Sequence, residues 1–464
     1  MGSRPKRRFI DDREWASYRR LLSYAEPYKG RLVAGIIAGV IAGMGMGGGV
    51  LKLLQENVDN LQNVGSIDKT TYLLTAAMFP VLFTILGLAE YLNSYLVQWV
   101  GNRVVLDVRN KTFEHLRHLS LGYYGRQKTG ELISRTINDS TMLERAVSNV
   151  LAGLAKQPAT LFFALGMLVY IDAKLALFTF VILPLSVVPV VMFGRRVRRN
   201  SKEGQQHLAD VISIMQETLS GIRIVKAFGQ EKREADRFAE ENHRYFRRAM
   251  KVVRAKAAIQ PIIQVIAVLG FVAVWVYSFF NEMSVGAVVT FLAGLFMMYE
   301  PVKRLGRIHL HIQQSAAAAD RIFEILDSPI EVADRPDAVE LGEQIDRISF
   351  TDVRFAYDEA PILKGVSVDA RQGDRIALVG GSGGGKTTML NLIPRFYDVS
   401  AGSLTVNGRD IRDYSLKSLR SRIGIVTQET VLFNDTIAAN ISYGTEGATR
   451  EQVIEAATRA HAHG

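Results

Sequence analysis

The stretch Gly380-Gly-Ser-Gly-Gly-Gly-Lys-Thr-Thr388 sets Gly380, Gly385, Lys386 and Thr387 at the spacing G-x-x-x-x-G-K-[ST], that of a loop which wraps nucleotide phosphates. Its flanks read in the order such a loop needs. Arg375-Ile-Ala-Leu-Val379 before it reads as a buried strand, and Thr388-Met-Leu-Asn-Leu-Ile393 after it as a helix closed by Pro394. Glycines let backbone N–H groups turn onto oxygens, and the helix N-terminus adds the positive end of its dipole. Ser382, Gly383, Gly384 and Thr388 complete the expected cradle. Lys386 is expected to reach the β- and γ-phosphates of ATP, and the Thr387 hydroxyl to ligate Mg²⁺. A flexible glycine linker has no need of that strand and helix.

Working outward, 464 residues with 48% hydrophobic content and a mean hydropathy of +0.10 suit two or three units, one of them apolar. There is no cysteine, which excludes disulfides and thiolate metal sites. The eight histidines, among them His115/His118 and His309/His311, lack zinc-ligand spacing. A net charge of +10 could suit nucleic acid. The basic residues instead stand beside apolar runs without interleaved aromatics, as in Arg195-Arg-Val-Arg-Arg199 after Phe193-Gly194, so no nucleic-acid partner is expected. The N-terminus is basic, but no cleavage site of small residues follows, so no secretory signal is expected.

Six apolar stretches are long enough to cross a bilayer, at about 20 residues each. They run near Leu32–Leu54, Tyr72–Val100, Val150–Ile171, Ala173–Phe193, Ala257–Phe280 and Val285–Tyr299. Little more than Asp172 separates the third from the fourth, and about four residues around Asn281-Glu282 the fifth from the sixth. The intervening segments 101–149 and 195–256 are long, polar and helical in pattern, and hold eight and sixteen Lys/Arg. Lys69 is the one such residue between the first two spans. That bias predicts both termini and both long segments on the cytoplasmic side of a multi-pass protein in a bacterial inner membrane.

Two features inside the spans admit alternatives. Gly35, Gly39, Gly43 and Gly47 share one helix face, which permits close approach of a neighbour, while Gly45, Gly48 and Gly49 would let the same span bend or unwind. Glu90 sits inside the second span, where a carboxylate is costly. It reads either as part of a substrate pathway, with Tyr91, Asn93 and Gln98 as polar neighbours, or as a packing contact to Lys52 or a backbone group.

Seven acidic residues, one basic residue, Pro329 and Pro336 between Asp327 and Asp346 read as a solvated linker. Beyond it Ile348–Phe355 alternates like a strand, Gly402–Gly408 reads as strand plus turn, and Ile423–Val426 as a short buried strand. The organisation expected is a basic N-terminus (1–20), a transmembrane domain (21–326), an acidic linker (327–346) and a nucleotide-binding part (347–464). The fold class is a membrane all-α six-helix bundle with long cytoplasmic helical extensions, followed by a partial α/β P-loop nucleotide-binding domain.

The chain resembles the ATP-binding cassette (ABC) exporters of the six-span half-transporter type, over almost all of residues 15–464. The phosphate loop carries the resemblance with Thr129-Gly-Glu-Leu-Ile-Ser-Arg135 and Asp139, and with Gly221-Ile-Arg-Ile-Val-Lys-Ala-Phe228 and Glu231. Gly402-Ser-Leu-Thr-Val-Asn-Gly408 and Val426-Thr-Gln-Glu429 add to it. The resemblance implies that Tyr357 stacks on adenine and that Gln428 contacts Mg²⁺ and the attacking water. Gly384 stands where serine is more frequent. The family's signature loop, Walker B aspartate, catalytic glutamate and switch histidine are expected after Gly464, so that the chain reads as truncated within that domain. The function implied is ATP-driven export or flipping of lipids or amphipathic small molecules, by a homodimer or a paired half-transporter. The alternative is a non-catalytic ATP-binding membrane fragment without turnover.

Overall fold

The computed structural model describes residues 12–62, 68–342, 344–358, 360–381, 383–427, 431–445 and 447–463, with the side chains at 12–15, 145, 146, 149, 178–187, 189–191, 195, 309 and 310 not described. The chain forms two compact units: Met1–Val104 with Leu143–Ser315, and Val105–Met142 with Ala316–Gly464.

Up to Leu326 the chain is helical, and residues Val105–Met142 and Ala316–Leu326 of that stretch belong to the second unit. After α1 (Asp12–Ser23) come α2 (Lys29–Met44), a π-helical turn at Gly45–Gly49, and α3 (Val50–Gln62). There follow α4 (Lys69–His118), the short α5 (Leu121–Arg126) and α6 (Thr129–Ser134), and α7 (Ser140–Ile171). The series continues with α8 (Ala173–Ser220), α9 (Ile222–Ala227), α10 (Glu231–Phe280) and α11 (Val285–Leu326). Among the described residues, five helical runs are long and apolar enough to cross a membrane, at Glu26–Gln62, Lys69–His118, Val150–Ile171, Glu231–Phe280 and Val285–Leu326. The expected fourth span is the first part of α8, where most side chains lie outside the described residues. At 50 residues, α4 and α10 each reach about 75 Å, more than twice a hydrocarbon core, so both continue as extensions into water.

Both readings of the glycine-rich span hold. A Cβ at Gly43 would lie 2.6 Å from the Lys156 carbonyl oxygen, and one at Gly47 2.4 Å from that of Thr160, so α7 packs directly on this face. Widening to a π turn at Gly45–Gly49 is the predicted local weakness, since glycine resists unwinding least. Between α7 and α8, the Asp172 side chain caps α8 by accepting from the Leu175 N–H at 2.8 Å, which explains how one residue suffices as a connection. Leu51, Leu168, Val274, Phe291 and Met298 form a buried cluster, while Phe162, Tyr170, Phe279 and Phe296 stay exposed. Large apolar side chains turned outward suit lipid as the surrounding solvent.

In the second unit, β1 (Arg347–Ala356), β2 (Pro361–Arg371), β3 (Ala401–Val406) and β4 (Arg409–Asp410) pair antiparallel in the order β2-β1-β3-β4. The helix α12 (Lys386–Leu392) follows the phosphate loop, and α13 (Leu416–Arg420), α14 (Ile437–Ile441) and α15 (Arg450–Arg459) come later. Val353, Leu363, Leu392, Leu404 and Leu419 centre the core. The strands expected at Ile348–Phe355 and within Gly402–Gly408 are present as β1 and β3, with Asn407 and Gly408 turning at positive φ.

Two expected strands are not formed. Arg375–Val379 and Ile423–Val426 run irregularly, and Val379 and Val426 are 92% and 100% exposed. Their composition is that of buried strands, but a strand needs a hydrogen-bonded neighbour on at least one edge. Among the described residues neither run has a ladder partner. Pattern alone sets the preference for a strand; pairing decides whether it is realised.

Candidate nucleotide-binding loop

The loop holds its shape through local geometry. Gly383 and Gly385 adopt φ of 81° and 83°, in the left-handed region that glycine tolerates. A Cβ at Gly385 would lie 2.8 Å from the Leu363 side chain of β2, so strand packing also calls for glycine there. The Gly384 N–H donates to the Gly381 carbonyl at 3.2 Å, closing the turn. Gly385 caps α12 without a side-chain acceptor, which leaves the first N–H groups of the helix directed to whatever the loop encloses. The Lys386 ammonium folds back over the loop and donates to the carbonyls of Gly380 (2.9 Å) and Gly381 (2.7 Å). A cation on a short arm beside uncapped N–H groups fits a polyphosphate.

Other expected residues fall around that loop. Thr387 is exposed, and among the described residues its hydroxyl makes no hydrogen bond, so the oxygen is available to a cation. Thr388 is buried at 6% exposure and accepts from the Tyr357 hydroxyl at 3.3 Å, which brings the aromatic ring to the loop helix. Ser382 and Gln428 lie outside the described residues.

Sequence reasoning missed Tyr397. Its ring meets that of Tyr357 edge-on, with centroids 5.0 Å apart, and Phe355 closes the cluster at 5.5 Å from Tyr397. Burial, and then the neighbouring Tyr357, push the Tyr397 hydroxyl above its ordinary pKa. A Cβ at Gly122, in α5, would lie 3.3 Å from the same ring. Glu331 secures that approach by accepting from Ser120 at 3.1 Å and from Arg126. The hydrogen bond from Arg126 holds the Glu331 carboxyl below the usual range. A tyrosine in Arg395-Phe-Tyr397 carries no signal of that role without the fold.

The two extension motifs are local structures of different kinds. In the first, Arg135 pairs with Glu131 (2.7 Å) and Glu324 (3.0 Å), and both Asp139 oxygens accept from Arg321 at 2.7 Å. Arg109 donates to Ser140, Thr141 and the Ile137 carbonyl. The motif therefore ties the end of α4 to the end of α11. In the second, α9 forms a tight corner between α8 and α10, with Ile224 and Phe228 65% and 73% exposed. Lys226 donates to Glu231 at 2.9 Å, and that bond lowers the Glu231 pKa.

Within the apolar helices, Glu90 pairs with Lys156 of α7, and not with Lys52. Asn93 faces α2, where its amide donates to the Gly35 carbonyl at 2.7 Å and is buried. Asn93 is therefore a packing residue and does not line a pathway beside Glu90.

A set of bilayer-length apolar helices with a glycine loop shaped for polyphosphate defines a membrane protein that binds nucleotide. The family model described as ABC transporter transmembrane region matches residues 32–302, and the one described as ABC transporter matches residues 363–463. The ATP-dependent lipid A-core flippase of Syntrophus aciditrophicus is 36% identical, over 100% of this chain and 77% of its own length. The flippase of the same name from Desulfotalea psychrophila is 39% identical over 84% and 69%. YgaD of Bacillus subtilis, which carries a multidrug export ATP-binding/permease name, is 35% identical over 96% and 78%. The chain belongs to the ABC transporter family and is a multi-pass integral membrane protein.

Proposed function

We propose that the chain exports or flips lipids or amphipathic small molecules across a bacterial inner membrane, using ATP, by alternating access and as a homodimer. The observation that carries the reading is the glycine loop, with Lys386 over it and an uncapped α12 behind it, in a chain that also holds helices long and apolar enough to cross a membrane. The relatives' names, flippase and multidrug exporter, favour this reading over a non-catalytic binding protein.

The loop geometry supports the roles of Lys386 and Thr387, and the family resemblance those of Tyr357 and Gln428. Tyr357 offers its ring to adenine. The backbone of Gly380–Gly385 and the N–H groups of Lys386, Thr387 and Thr388 hold phosphate oxygens. Lys386 exchanges its two carbonyl partners for those oxygens, and Thr387 and Gln428 ligate Mg²⁺. Bound ATP supplies differential affinity for two arrangements of the protein, and its hydrolysis resets them. The Lys/Arg bias supports a cytoplasmic side for both termini and the extensions.

The test expresses the complete reading frame that carries this chain and reconstitutes the product into vesicles with fluorescent phospholipid. ATP-dependent movement of the probe between leaflets, lost in Lys386→Ala, is the expected result. Movement that proceeds equally in Lys386→Ala would overturn the assignment.

A further inference from the structure

A cavity of about 470 Å³ opens between α8 and α10. Arg196, Arg199, Arg248, Lys251 and Arg254 line it, with Glu203 as the carboxylate among its lining residues. Glu203 accepts from Arg199 at 3.2 Å and pairs with Arg248 at 2.7 Å. Among the described residues Arg196, Lys251 and Arg254 form no ion pair of their own, and five cations share the one carboxylate of Glu203, which also feels Lys251. That excess of positive charge favours an anion at this spot.

Depth decides which anion. Phe193 and Ala258 line the same cavity. Phe193 ends the apolar run of α8, and Ala258 stands at the start of the apolar run of α10. The cations therefore stand where apolar helix gives way to polar extension, the level of lipid headgroups, and apolar side chains close one wall. Free phosphate would satisfy the cations and leave that wall unused. An amphiphile with a phosphate head matches both, since basic pockets between helices at this level attract anionic headgroups.

We infer that this cavity binds the phosphate-bearing headgroup of a bilayer lipid. The inference rests on α8 and α10 entering the membrane and is independent of the export reading.

Purified full chain in detergent is titrated with short-chain phosphatidic acid, short-chain phosphatidylcholine and inorganic phosphate, by microscale thermophoresis. Saturable binding of phosphatidic acid is expected, at least roughly tenfold tighter than inorganic phosphate and tighter than phosphatidylcholine. Removing Arg196, Lys251 and Arg254 together, each to Ala, should weaken it by more than tenfold. Glu203→Gln frees Arg199 and Arg248 and should tighten binding severalfold, a gain that a misfolded variant cannot produce. Inorganic phosphate binding as tightly as the lipid would overturn the lipid assignment. Binding that ignores both the triple change and Glu203→Gln would overturn the site.

Discussion

At the scale of single residues, the candidate site separates charge from shape. Lys386 contributes the cation, and a charge-assisted hydrogen bond to phosphate is worth about 1.5–3 kcal/mol. Lys386→Ala should therefore weaken binding of a fluorescent ATP analogue by roughly ten- to a hundredfold, with helix content unchanged. Tyr357 contributes a ring, and its hydroxyl bonds Thr388. Tyr357→Phe should preserve most of the affinity, while Tyr357→Ala should lose roughly tenfold for adenine nucleotides, in the range of base–aromatic stacking. Equal losses in Phe and Ala would assign the role to the hydroxyl and not to stacking. Lys386 and Thr387 were legible because the chemistry fixes their spacing within one loop. Tyr397 was not, because its place beside Tyr357 depends on how two distant stretches fold together.

At the scale of elements, close approach was legible wherever one helix face carries the pattern. The line from Gly35 to Gly47 announced tight packing, but the neighbour, α7, could not be named from it. Gly47→Val sets a side chain against the Thr160 carbonyl, which is backbone and cannot yield, whereas Gly87 has nothing within 4 Å of its missing Cβ. Gly47→Val should destabilise the helical unit, by about 1–3 kcal/mol in the range of overpacking, and Gly87→Ala should be silent in thermal melts. The Glu90–Lys156 pair joins α4 to α7, with the lysine side chain 18% exposed and the carboxylate 59%. Removing one charge strands the other in apolar surroundings. Lys156→Gln or Glu90→Gln alone should then cost more stability than the two together, a difference read from a double-mutant cycle. The contact of α5 with Glu331 is set by pH. Its carboxyl has a lowered pKa in the folded chain, so the stabilisation is present above the ordinary glutamate pKa and is lost as pH falls through the lowered value. Arg126, Asp358 and Tyr397 are the charged or titratable groups that enter this local field. Protection factors across residues 120–126, taken against the intrinsic exchange rate at each pH, should be high at neutral pH and fall below the usual carboxylate range. Glu331→Gln should already show low protection at neutral pH.

At the scale of the whole molecule, the sequence was most legible where hydrophobic length decides and least where long-range pairing does. Apolar runs of bilayer length require helices, because lipid offers the backbone no other hydrogen-bond partners, and α2 with α3, α4, α7, α10 and α11 follow that pattern. Arg375–Val379 and Ile423–Val426 carry an equally apolar pattern but run irregularly, since strands depend on neighbours that composition does not specify. Orientation in the membrane is likewise a property of the full chain, summed over its Lys and Arg. Segments 101–149 and 195–256 carry eight and sixteen, the bias on which the proposed cytoplasmic side rests. The chain has no cysteine, so single cysteines report topology directly. Lys174→Cys sits beside the short turn between α7 and α8 while sparing the Asp172 cap, and Glu282→Cys lies in the turn between α10 and α11. Both should react with a membrane-impermeant maleimide applied to intact spheroplasts. Asn138→Cys, exposed in the first extension, should react only after the membrane is opened. Labelling of Asn138→Cys from outside, with Lys174→Cys and Glu282→Cys protected, would invert the assignment and place the nucleotide loop on the side of the membrane that lacks ATP.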